Sequence, residues 1–559
     1  MNRASASPPA STRSRAGGAR ALCLTALGAL GALGMSACTL SENGVTPPAD
    51  TFFYPTSAVM NPADTTGQWL YVANSNADLR FNDGTLVMVN VGDELPNLSG
   101  SNKPPLLGAY SDRTARAAEW SACSQENYVN PLPRSDAPIC CWDLLDKNIL
   151  NCDERRYVQA DATVLIGSFA AQMVWQPYCD DPCLTYNGAT TACDAKADAG
   201  RLLIGVRGDT SLTYVDVAPM DQLAATASHP AFHCTADTVA PPLAECDQKV
   251  VDTKTQRGIQ SGDTQTAALS LPDEPYALTL DDPRGYLYVG HLVGNTSTPD
   301  SGGVSLFDIS GTGVVSPTGF PVPPRFIAPF GSPFPASNSG LFGVTAISMH
   351  EPLGASAASD RVAFASSRYV PLVTSMVALG PSICADDIND DVLLPAGDTL
   401  SSGLSGSEMR GVEFIDPLPG SQPNYAQRAY ALQRVPPDLV GFDIAKNEAG
   451  GTTVIPTDLS ETCSSPTFLY QNDAGEGARL FVNCFDTGEV YIFDPAIPTL
   501  ITTLAVGRGP AGMVFDRTRA VAYVLDFTQN DISVVDLAPG SATQYHVIQR
   551  LGFPTVVPR

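Results

Sequence analysis

Few residues in this chain could do metal or covalent chemistry, and they fall in three places. Asp387-Ile388-Asn389-Asp390-Asp391, with Asp398 at the twelfth position from Asp387, follows part of a calcium-loop pattern, in which hard oxygens gather round one cation. Val392 replaces the glycine of the sharp turn, and position twelve is Asp rather than a bidentate Glu. The same residues therefore also read as a solvated acidic loop. The second place is His229-Pro230-Ala231-Phe232-His233-Cys234, where two histidines have the i, i+4 spacing of a helical metal site. Pro230 argues against the helix, and a disulfide loop is the competing reading. The other histidines, His291, His350 and His546, are isolated.

The cysteines are the third place. Of the 14, Cys23 and Cys38 lie near the N-terminus, and an even number remains, as expected of disulfides in an exported chain. Seven crowd residues 123–193, where connectivity cannot be read. Cys463 opens an expected inner strand and Cys484 ends the next, so a hairpin sets them side by side. Cys234 and Cys246 bracket a polar, proline-containing loop and form a second candidate pair. Cys384 reaches into the Cys-rich region or stays free. No Gly-rich phosphate loop, Gly-x-Ser-x-Gly, His-Glu-x-x-His or Cys-x-x-Cys-His is present, which argues against nucleotide, serine-hydrolase, zincin and covalent-haem chemistry.

The elements that must position these residues are short strands. Near the C-terminus, Gly512-Met513-Val514-Phe515, Val521-Ala522-Tyr523-Val524-Leu525 and Ile532-Ser533-Val534-Val535-Asp536 are β-rich runs separated by polar turns. Three such strands cannot bury both faces alone, so the unit needs copies. Copies recur from Phe53 onward, with middle strands at Leu70-Tyr71-Val72, Leu287-Tyr288-Val289, Arg428-Ala429-Tyr430 and Leu480-Phe481-Val482. A second unit is read as 163–167, 202–206 and 212–216, and a fourth as 343–347, 362–365 and 373–379. Asp443, Asp494 and Asp536 lie 51 and 42 residues apart, near the roughly 40–50 residues of a propeller blade. The expected fold is all-β, a propeller of seven four-stranded blades over 52–559, with six or eight left open. Closing the ring removes exposed sheet edges. Cys-rich insertions interrupt it at about 92–160 and 173–200. They carry Trp120, Trp142 and Trp175, which either anchor a partner or form small loop cores. Asp308, Asp443, Asp494 and Asp536 end strands at turns, so their recurrence argues structure rather than catalysis.

Charge excludes partners. With 58 acidic against 32 basic residues the net charge is -26, which argues against nucleic acid and direct contact with anionic lipid. Residues 1–37 hold Arg3, Arg13, Arg15 and Arg20 and no acid, and 21–34 is an apolar run too short to span a bilayer, as in a secretory leader. Met35-Ser36-Ala37-Cys38 resembles the bacterial lipoprotein signal, with Met35 in place of the usual Leu. The resemblance implies cleavage before Cys38 and acylation of its thiol. Thr39 after the cysteine implies the outer membrane, with 38–51 as a lipidated, polar tether. An ordinary cleaved leader is the alternative.

LYVANS at 70–75, GYLYVG at 285–290 and VGRGPAGMVFD at 506–516 resemble YVTN-type, YncE-like β-propeller repeats. The resemblance implies the fold well and function poorly, since such propellers include binding proteins, lactonase-like enzymes and redox subunits. The reading from the sequence is a non-enzymatic, lipid-anchored monomer that binds an envelope protein or glycan through its insertion-bearing face. The alternative is a lactonase-like or other hydrolytic propeller with a cation in its central channel.

Overall fold

Six of the seven blades begin at a residue whose backbone passes through the left-handed region. Tyr54, Phe169, Glu274, Gly343, Glu408 and Gly509 take φ between 51° and 68°; only two of the six are glycine, so the sheet imposes a strained conformation on the others. In five blades the carbonyl of this residue accepts an N–H from just beyond the second strand: Ser75 to Tyr54, Arg207 to Phe169, Leu292 to Glu274, Arg368 to Gly343 and Phe527 to Gly509. The seven inner strands are Pro55–Met60, Ala170–Pro177, Pro275–Asp281, Val344–His350, Ser407–Ile415, Pro466–Asp473 and Pro510–Asp516. Each carries a register shift near its start, a β-bulge that re-aims one side chain per blade.

These elements belong to a computed structural model that describes residues 45–92, 120–124, 140–177, 199–218, 229–234, 243–246, 249–250, 274–281, 285–292, 303–309, 324–329, 343–350, 361–379, 392–401, 406–415, 427–446, 452–473 and 477–554. The chain divides into Met1–Thr46 and Pro47–Arg559, and all seven sheets lie in the second unit. The expected leader, tether start and Cys38 fall outside the described residues. So do Asp387, Asn389, Asp391, Cys179, Cys183, Cys193 and Cys384.

The architecture is all-β, with seven sheets round a central channel. Within each blade the first strands pair antiparallel in chain order. Neighbouring inner strands touch round the whole ring, and the last, Pro510–Asp516, meets the first, Pro55–Met60. Middle strands such as Trp69–Asn74, Tyr286–His291 and Val521–Asp526 are buried throughout, which explains their near-continuous apolar sequences.

Blade two departs from the sequence reading. Val164–Ile166 pairs with Gly84–Asn90 and is therefore the fourth strand of blade one. The inner strand of blade two is Ala170–Pro177, whose Trp175 lies on a strand rather than in an insertion. The period was obscured because more than seventy residues separate Asn90 from Val164, whereas about four separate many consecutive strands of blades five to seven.

The first insertion has a structural task. Its strands Cys140–Trp142 and Leu150–Cys152 extend blade seven, Leu150–Cys152 running parallel to Val547–Leu551. Trp142, Tyr157 and Val158 share one core with Leu70 and Val72 of blade one and Tyr523 and Val534 of blade seven. Blade one thus sends a clasp across the seam where the ring closes. Cysteine pairs at disulfide distance fix it: Cys123 with Cys141, and Cys140 with Cys152. A second staple runs the other way. Ala244–Glu245 pairs with Val164–Ile166 of blade one, while Cys246 bonds Cys234, which follows the outer strand Ala231–His233 of blade two. Cys463 and Cys484 bond across the blade-six hairpin. These disulfides suit an oxidising, exported location.

Candidate functional site

The channel has two ends. Inner strands run from one end, the mouth, to the other. The bulged residues of blades one, three, six and seven, Thr56, Tyr276, Thr467 and Ala511, line a cavity of about 410 Å³ at the mouth. Its wall is aromatic, with Phe169, Tyr276, Phe468, Tyr470, Phe485 and Phe527. Phe485 and Phe527 follow the second strands of blades six and seven, where the polar turns bring them to the rim. Their centroids are 5.9 Å apart, Tyr54 lies 5.0 Å from Phe527, and Tyr276 stacks on Phe468 at 6.5 Å.

Four arginines ring this mouth. Arg207 Nη2 lies 3.1 Å from Glu274 Oε2. Glu408 is shared by three guanidiniums: Arg410 at 2.7 Å, Arg434 at 3.3 Å and Arg368 at 3.7 Å. Burial raises the Glu408 carboxyl, but the Arg410 hydrogen bond and the three positive charges outweigh it and hold the group below the usual carboxylate range. Burial pushes the Tyr276 phenol up, and the charges of Arg410, Arg207, Arg368 and Arg434 pull against that shift. Deeper in the channel, burial pushes the Glu413 carboxyl up to about 8, and Glu413 acts electrostatically on Tyr470.

The far end opens as a second cavity of about 760 Å³. It shares Ala58, Met173 and Met513 with the first. Its lining mixes Trp175 and Phe515 with Asn61, Gln471, Asn472 and Arg517. The carboxylates here are engaged in turns. Asp64 accepts from the Thr66 and Gln68 amides, and Asp516 from the Thr518 amide and Arg519. Both insertions leave the ring at this end. One departs after Asn90, and the other joins Pro177 to Gly200, which are paired neighbours.

The residues singled out from sequence fare differently. Asp398 lies on the strand Val392–Ser401, and its would-be partners are outside the described residues. His233 belongs to the strand Ala231–His233, not a helix, so i, i+4 spacing does not aim it with His229. His229 instead donates Nδ1–H to the Pro230 carbonyl at 2.7 Å and faces Asp161 at 3.2 Å. His291 bonds Ser305 at 2.9 Å, and His350 contacts Gln427 and stacks on Phe414. Among the described residues, no group of three His, Cys, Asp or Glu side chains is placed to hold a metal ion. Trp142 and Trp120 pack into the clasp core. Strand-ending aspartates are structural: Asp443 pairs with Arg428 at 2.9 Å, and Asp536 accepts from Ala538 and Ser541. The arginine cluster was not foreseen. Its members come from three blades, and nothing in their local sequence marks their convergence.

No helix among the described residues is long and apolar enough to cross a membrane. No family model matches the chain, and no curated protein matches it. Among solved structures it is similar to hydrazine synthase of Kuenenia stuttgartiensis, at 9% identity over 90% of this chain and 99% of that one, with TM-score 0.40. It is similar to a candidate 6-phosphogluconolactonase of Bacteroides fragilis, at 10% identity over 82% and 86%, with TM-score 0.42. A periplasmic gluconolactonase of Pseudomonas aeruginosa shows 14% identity over 64% and 84%, with TM-score 0.37. Scores of this size carry no argument about activity. On its own strand pairing, the chain is a seven-bladed, all-β propeller.

Proposed function

We propose that this protein is an exported propeller, lipid-anchored through Cys38 in the cell envelope, that binds a protein or glycan at its insertion-bearing end. The observation that carries this reading is the wide opening there, where amide and guanidinium side chains lie beside Trp175 and Phe515. Amides, a cation and aromatic faces are the groups that hold sugar rings or a polar protein loop without transforming them. The strands beneath are fixed by the ring, so the loops above them are presented on a rigid base. The YVTN-like repeats and the leader support an envelope scaffold. The test is binding of the purified full chain to a panel of oligosaccharides and envelope proteins. Arg517→Ala and Gln471→Ala are expected to weaken retention at least several-fold. Release of a chemically altered ligand, with no retained one, would contradict the reading. For the anchor, Cys38→Ser is expected to abolish incorporation of labelled palmitate and to free the protein from membranes.

One observation favours the hydrolytic alternative. A carboxyl pushed to about 8 in a channel is protonated at neutral pH and able to act as a general acid. Under that reading Glu413→Gln would lower lactone hydrolysis by roughly 10²–10⁴-fold. The binding reading predicts no lactone turnover above buffer in either protein.

A further inference from the structure

The mouth of the channel, at the opposite end from the insertions, carries a feature that binding at the far end does not use. In a chain of net charge -26, four guanidiniums gather there against two carboxylates, Glu274 and Glu408. Arg410 is the bulged residue of blade five. It therefore occupies the place that Thr56, Tyr276, Thr467 and Ala511 occupy in the blades whose bulges line the cavity. Arg410 is only 9% exposed, and its Nε is buried with no partner, although its Nη2 holds Glu408. Arg207, itself part of the cavity wall, has a buried and unpartnered Nε in the same way while its Nη2 holds Glu274. Arg434 completes the rim by donating to Glu408 and to Ser465 Oγ at 2.8 Å.

A buried N–H without an acceptor asks for one, and a guanidinium offers its donors in a planar fork that suits a carboxylate or phosphate. Beside these donors stand the hydroxyl of Tyr276 and a wall of six aromatic rings. We propose that the mouth is a binding site for a small organic acid. Its oxyanion accepts from Arg207, Arg410 and Tyr276, and its apolar body packs on Phe468, Tyr470 and Phe527. The cavity, about 410 Å³, is of the size that takes a small molecule rather than a folded partner. The neighbouring carboxylates fix the two arginines in position and leave their Nε groups without a protein acceptor. Since the chain as a whole carries a net charge of -26, recognition is local and short-ranged, and the site selects one acid group rather than a polyanion.

The experiment is isothermal titration of the purified full chain with benzoate, phenyl phosphate, inorganic phosphate and the neutral analogue benzyl alcohol. Benzoate or phenyl phosphate is expected to bind at least tenfold more tightly than benzyl alcohol, and the preference between them tells carboxylate from phosphate. Arg207→Gln, on a partly exposed turn, is expected to weaken the acid at least tenfold while leaving the melting temperature within a degree or two. Arg410→Gln should do the same where its melt shows a folded protein. Equal binding of acid and alcohol, or an unchanged acid affinity in Arg207→Gln, would overturn the proposal. Binding of inorganic phosphate as tight as phenyl phosphate would overturn the part assigned to the aromatic wall. Failure here leaves the insertion-end reading untouched, because Arg517 and Gln471 lie at the other end of the channel.

Discussion

Asp526, which ends the second strand of the last blade, and Asp531, which opens the third, face each other as a register pair. Both are fully buried. Asp526 accepts from Ser533 Oγ at 2.6 Å, and Asp531 from Gln529 at 2.7 Å. Burial pushes Asp531 up to about 6, with Arg550 opposing it, and burial together with the Asp531 charge raises Asp526. A carboxyl whose folded pKa exceeds its unfolded value binds more protons in the native state, so its contribution is complete below about pH 4 and lost as pH rises through about 6. The blade-seven hairpin is therefore expected to weaken between pH 4 and 7. Asp526→Asn keeps an acceptor for Ser533 and removes one charge. It should stabilise the protein by about 1–3 kcal/mol at pH 8 and by little at pH 4, read from denaturant melts at both values. Arg201 and Asp216 make the opposite case. They are 1% exposed, 2.5 Å apart, with the guanidinium 4.7 Å from the centroid of Tyr214. Arg201→Ala should cost about 3–5 kcal/mol by stranding the carboxylate, and Arg201→Met with Asp216→Leu much less. Sequence marked Asp216 as a strand end but gave no hint of its partner, because a cross-strand pair is visible only once register is known.

At the scale of elements, strands with short turns were legible and strands with long connections were not. Blades five, six and seven follow the sequence reading closely because their turns keep the period. Cys463 and Cys484 could be paired for the same reason, since one hairpin sets their separation. Val164–Ile166 and Cys140–Cys152 belong to blades that their neighbours in sequence do not reveal. The clasp is the element with the largest consequence. It joins the first blade to the last, where the ring has no covalent continuity. Cys140→Ser with Cys152→Ser removes a crosslink spanning 12 residues and should cost roughly 3 kcal/mol by the loop-entropy estimate. Proteolysis should then begin at the seam between blades seven and one rather than in blades three to five. Equal loss of protection round the whole ring would show that the clasp is not what holds the seam.

For the whole molecule, the two ends of one channel are lined by different chemistry. The insertion end carries mixed polar and aromatic groups suited to a partner, and the mouth carries arginines round an aromatic cavity. Neither end was legible beforehand, because inner-strand residues converge only when seven blades are placed in a ring. The residues that follow a calcium-loop pattern are those of 387–398, and a bound calcium is expected there. The most direct test is the metal content of the purified protein, with thermal melts in the presence and absence of EDTA, for the natural chain and Asp391→Asn. The account predicts that any stoichiometric calcium is lost in Asp391→Asn, and that EDTA then leaves the melting temperature of the variant unchanged. A stoichiometric metal that survives in Asp391→Asn, with a large fall in melting temperature on its removal by EDTA, would contradict it. That result would put a cation outside the loop of 387–398, as the hydrolytic reading with its channel cation requires.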